Sequence, residues 1–133
     1  MKKSSLEFLK RLMLAISPSG YEMDAVRVFR KEAESFAADV RTDVHGNTDV
    51  VVNPGGSPRV MLAGHYDEIG FIVTLIDSRG YLWVAPIGGW DPQIPQGQRV
   101  SIRTAKGVVP GIMGKVPIHL QKPEERKNVT PLT

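Results

Sequence analysis

The run from Val60 to Gly70, Val-Met-Leu-Ala-Gly-His-Tyr-Asp-Glu-Ile-Gly, constrains the fold most, because an apolar stretch ends in His65 and Asp67 with one residue between them. In an extended chain, side chains two apart share a face. On that face an imidazole can give one nitrogen to a metal while a carboxylate orients the ring through the other. Val60 to Ala63 reads as a short, doubly buried strand of a parallel α/β sheet. Ligands of such sheets sit beyond the carboxyl ends of strands, which is where His65 falls. One His and one Asp do not complete a metal site.

The pattern upstream is helical. Leu6, Leu9, Leu12, Met13 and Ile16 recur at helical spacing, with Ser4 or Ser5 as the expected cap and Ser17-Pro18-Ser19-Gly20 as the stop. A second amphipathic helix is expected from about Glu22 to Ala37, its stripe formed by Val26, Phe29, Ala33 and Phe36. Three strands follow in this reading: Val40 to Val44, Asp49 to Asn53 and Arg59 to Ala63. His45 falls in the first turn and reads as solvated.

Beyond Gly70 the helical period disappears. Phe71 to Ile76 and Tyr81 to Pro86 flank Asp77-Ser78-Arg79-Gly80, and Arg99 to Thr104 and Val108 to Met113 flank Ala105-Lys106-Gly107. Both are hairpin signatures, and short strands punctuated by Gly and Pro predict a small barrel. The fold class is therefore α/β, with residues 1–69 as part of an α/β domain and residues 70–133 as an inserted β domain. The first part looks unfinished, with no partner layer for the far face of its sheet.

Composition closes several other readings. The 133 residues are ordinary for a soluble globular domain, 41% hydrophobic and 23% charged, and a dispersed net charge of +3 leaves no nucleic-acid footprint. There is no cysteine, so a metal would have to be held by His and carboxylate, and a reducing cytoplasm is the expected compartment. No stretch approaches a membrane span, and Glu7, Lys10 and Arg11 break the apolar core a signal peptide needs. Asn128-Val129-Thr130 fits a glycosylation pattern by chance. No Gly-x-Ser-x-Gly elbow is present, and Gly107 to Gly114 lacks a phosphate-loop lysine. Asp67 and Glu68 make a weak glycosidase pair, because strand neighbours point to opposite faces. His119, among apolar neighbours, reads as a hydrogen-bonded structural histidine, and Gly88-Gly89-Trp90-Asp91-Pro92 as a structural corner, with an interface or substrate rim as the alternative.

Taken in order along the chain, Ser17-Pro18-Ser19-Gly20-Tyr21-Glu22, Gly46-Asn47, Ala63 to Phe71, Gly88-Gly89-Trp90-Asp91, Gly97-Gln98-Arg99-Val100, Gly111-Ile112-Met113-Gly114 and His119 to Arg126 resemble the dinuclear metallo-aminopeptidases. That family includes glutamyl and deblocking aminopeptidases and tetrahedral self-compartmentalising peptidases, some of them labelled endoglucanase or cellulase. The resemblance implies an α/β metallopeptidase catalytic domain interrupted by a β-barrel dimerisation domain. It implies His65 as a metal ligand and Asp67 as the acid that supports the site, with no catalytic role for Glu68. It also implies two divalent ions, zinc or cobalt, a peptide substrate cut at its N-terminus, and homo-oligomers built through the β domain, where Ile87, Trp90 and Ile94 offer apolar contact. By the same resemblance the remaining ligands and the general base lie beyond Thr133, leaving this chain inactive by itself. The alternatives are a non-catalytic self-association module and, less favoured, a glycoside hydrolase.

Overall fold

Helical spacing of apolar residues becomes two helices, α1 over Lys3–Met13 and α2 over Met23–Ala33, in a computed structural model that describes residues 1–128. Lys10 and Arg11 close α1, and Arg30 and Lys31 close α2, where cations favour the negative end of the helix dipole. The Arg11 guanidinium reaches Glu32 across the pair at 2.7 Å. Ala25, Val26 and Ala33 of α2 are buried.

Two details of the helices differ from expectation. The first turn of α1 begins at Lys3, so Lys2 takes the cap position without a side-chain bond, and Ser4 and Ser5 lie inside the helix. A serine caps only from just outside the first turn. The second helix stops at Ala33, and Phe36, bonded through its N–H to Ala33 O, leaves the stripe and is 61% exposed.

β1 (Asp39–Thr42) and β2 (Thr48–Val51) pair antiparallel with Asp39 opposite Val51. Their turn is built by one carboxylate: Asp43 Oδ1 accepts from His45 N and Asn47 N, and Oδ2 from Asn47 Nδ2. Gly46, at φ +92°, adopts the left-handed conformation that closes it. His45 is exposed in this turn, as expected.

The third expected strand is absent. Residues 59–63 form no ladder, and Val60, Met61 and Leu62 are 78%, 88% and 94% exposed rather than doubly buried. An apolar run becomes a central strand only when flanking strands accept its N–H and C=O groups. Among the described residues β1 and β2 pair with each other, and no third strand joins them.

The chain divides into two units, residues 1–68 and those from Ile69 onward. In the second, β3 (Gly70–Ile76) pairs with β4 (Leu82–Ile87) and β5 (Arg99–Thr104) with β6 (Gly107–Ile112), both antiparallel. The β3–β4 turn repeats the device of the first: Asp77 Oδ1 accepts from Arg79 N and Tyr81 N while Oδ2 holds the Arg79 guanidinium. Trp90 folds back on the start of β3, stacking on Phe71 at 4.6 Å between centroids and donating from Nε1 to Gly70 O at 2.9 Å. It is a structural corner.

The expected hairpins are therefore present, but among the described residues they remain two separate two-stranded sheets. Closure into a barrel requires each edge strand to gain a ladder partner, and these edges have none there. His119 lies exposed in a 3-10 turn over Ile118–Leu120 instead of packing as a structural histidine. Asn128-Val129-Thr130 lies partly outside the described residues. No helix among them is long and apolar enough to cross a membrane.

Candidate metal centre

The segment 65–68 is held from beneath and from one side. Alternation sends Tyr66 inward, where its ring sits 6.1 Å from that of Phe29 on α2 and its hydroxyl donates to Gly46 O. Thr48 Oγ1 lies 3.4 Å from the same hydroxyl. Tyr66 thus ties the segment to the β1–β2 turn, and His65 and Asp67 are left on the opposite side.

The lateral support comes from the loop between the helices. Pro18 and Glu68 form a parallel bridge, with Ser19 N donating to Glu68 O at 3.2 Å and Glu68 N to Ser17 O at 2.9 Å. Ser17, only 3% exposed, donates from Oγ to Tyr66 O at 2.8 Å, and its N–H donates to Glu68 Oε1 at 3.2 Å. The Glu68 carboxylate is thereby occupied in holding the loop. Reading Ser17 to Gly20 as a helix stop misses this role; the cue available was the presence of two serines in a segment with few other duties.

His65 Nδ1 lies 2.9 Å from Asp67 Oδ1 and 3.1 Å from Asp67 O. Both partners only accept, so Nδ1 carries the proton and donates. Asp67 Oδ2 takes a second bond, 2.6 Å from Ser19 Oγ. The Ser19 hydroxyl above all, opposed by desolvation and then aided by His65, holds the Asp67 carboxyl below the usual carboxylate range. Asp67 therefore stays ionised and keeps the ring oriented.

His65 Nε2 has no hydrogen-bond partner among the described residues, and the side chain is 85% exposed. A ring fixed through Nδ1 with Nε2 open fits one position of a metal site. Among the described residues no three His, Asp or Glu side chains converge as metal ligands. His45 sits in the β1–β2 turn, and His119 belongs to the second unit.

The family follows from comparison with known proteins. The M42 glutamyl aminopeptidase model matches residues 46–133, and the chain belongs to that family. It is 37% identical over 117 residues to lysyl aminopeptidase of Pyrococcus furiosus, an alignment covering 87% of this chain and 34% of that one. Among solved structures, a TET aminopeptidase from a marine sediment archaeon, Thaumarchaeota archaeon SCGC AB-539-E09, superposes with a TM-score of 0.91 at 39% identity, covering 98% of this chain and 37% of the other. The TET1 peptidase of Pyrococcus horikoshii, which can assemble into a tetrahedron or a large octahedral shell, gives 0.80 at 34% identity over 96% of this chain and 38% of its own. The chain spans about a third of the length of the relatives it matches.

Proposed function

We propose that this chain carries the first metal-holding histidine of a dinuclear aminopeptidase that releases N-terminal residues from peptides. The observation that carries the reading is His65, fixed at Nδ1 by Asp67 and open at Nε2, in a chain of the M42 family. His65 would hold one of two divalent ions, zinc or cobalt, and such ions polarise a scissile carbonyl and lower the pKa of bound water. Asp67 keeps the ring in one tautomer. The other ligands and the general base would come from outside these residues.

The hairpins support a second duty, self-association. Ile72, Leu75, Ile76 and Trp83 of β3–β4 are about half exposed or more, and apolar faces of this kind favour burial between copies. In this reading residues 1–69 belong to the catalytic domain and residues 70–133 to an inserted β-barrel that dimerises. A glycosidase is not favoured, because Asp67 is committed to His65 and Ser19 while Glu68 is committed to Ser17.

The test measures amino-acid release from short unblocked peptides with zinc or cobalt. It compares the 133-residue chain with the same chain fused to the C-terminal two thirds of the Pyrococcus lysyl enzyme. Turnover by the fusion, lost in His65→Ala, is the expected result. Turnover that survives His65→Ala, or release of reducing sugar from oligosaccharides in its place, would overturn the reading.

A further inference from the structure

An exposed His–Asp pair is normally a loose device. Each side chain has water as an alternative partner, and a carboxylate can turn about its own bond to offer either oxygen. Here the two oxygens of Asp67 have different partners, His65 Nδ1 at 2.9 Å from Oδ1 and Ser19 Oγ at 2.6 Å from Oδ2. Turning the carboxylate out of this plane would break both bonds. Ser19 in turn is set by backbone contacts: its N–H donates to Glu68 O, Pro18 pairs with Glu68, and Glu68 N donates to Ser17 O. The ordering entropy of the Ser19 hydroxyl is thus largely met by the bridge, which lets an exposed hydrogen bond contribute where an isolated one would not.

We propose that Ser19 is a positioning residue: its hydroxyl anchors Asp67 Oδ2 so that Oδ1 holds His65 as the Nδ1–H tautomer, with Nε2 presented as the open lone pair. The anchoring itself stands on the geometry of residues 17–19 and 65–68. Only the use of Nε2 for a metal rests on the proposed function.

The experiment is nitrogen NMR of the histidine rings in the metal-free 133-residue chain, in mildly alkaline buffer where a free imidazole is neutral. His65 is expected as the Nδ1–H tautomer. Ser19→Ala should shift it toward a mixture with Nε2–H, and Ser19→Thr, which keeps the hydroxyl, should restore it. Asp67→Ala should weaken the preference further, to what the remaining 3.1 Å contact with the backbone carbonyl of residue 67 can hold. A His65 pattern identical in wild type and Ser19→Ala, with Asp67→Ala shifted, would overturn the role of Ser19. A preference unaffected by Asp67→Ala would overturn the whole chain of contacts. Zinc titration of the fusion that supplies the C-terminal two thirds of the Pyrococcus lysyl enzyme separates the two proposals. Affinity about tenfold weaker in Ser19→Ala, the low end for loss of a supporting partner, is expected there. A Ser19-dependent tautomer in this chain, with zinc affinity of the fusion unchanged by His65→Ala, would support the anchor and refute the metal.

Discussion

Replacing Tyr66 by Phe removes a single oxygen from the residue between His65 and Asp67. That hydroxyl donates to Gly46 O and lies 3.4 Å from Thr48 Oγ1, while the ring keeps its place 6.1 Å from Phe29. A hydrogen bond of this kind contributes about 1 kcal/mol net. Gly46 is half-buried, so water reaches the freed carbonyl and the larger penalty for a sealed, unpaired group does not apply. About 1 kcal/mol corresponds to roughly a fivefold change in an opening equilibrium. Amide hydrogen exchange reads this directly. The Asp43 N–H, bonded to Asn47 O at 3.0 Å, and the Glu68 N–H, bonded to Ser17 O at 2.9 Å, should each exchange about fivefold faster in Tyr66→Phe. The Met113 N–H, bonded to Gln98 O in the second unit, should not change. Tyr66→Ala removes the half-buried ring as well, and its cost should rise to about 2–3 kcal/mol, below that of a fully buried aromatic. Wild-type exchange at Asp43 and Glu68 in Tyr66→Phe would refute the tie between the His-x-Asp segment and the β1–β2 turn.

Ser17→Ala deletes the bond from a buried hydroxyl to Tyr66 O, and should cost about 1–2 kcal/mol, seen as faster exchange at Ser19 and Glu68. Gly88→Ala should lose the Trp90 near-ultraviolet dichroism: the residue sits at φ +80° and its new Cβ would lie 2.6 Å from Ile69 Cγ2, a clash added to about 1–2 kcal/mol of left-handed strain. The Asp77 carboxyl is held below the usual range: partial burial pushes it up, but the Tyr81 N–H and Arg79 outweigh that. Because the folded value is the lower one, the stabilisation is present above the unfolded value of roughly 3.9 and lost as pH falls through the folded value. Acid titration by NMR should therefore loosen the β3–β4 turn, and Asp77→Asn should remove the effect. Finally, the 133-residue chain should bind an apolar-surface dye, since Val60, Met61 and Leu62 are exposed together; charged replacements at all three should lower the signal, leaving the part that the exposed β3–β4 residues contribute.

Local chemistry was legible from the sequence wherever it sufficed by itself. The strand pairs β3–β4 and β5–β6 lie within a residue or so of the expected spans, because alternation, a turn-forming Asp or Gly and short separation specify a hairpin without distant help. The facing of His65 and Asp67 followed from the two-residue period in the same way. What the local pattern could not decide was pairing between distant segments. Val60 to Ala63 has the composition of a central strand, yet a strand exists only where neighbours complete its hydrogen bonds, and no described residue does so. Nor does any spacing rule bring Ser17 and Ser19 to Glu68 and Asp67, some fifty residues away. Their meeting depends on α2 and the β1–β2 turn holding Tyr66 between them, an arrangement set by tertiary packing.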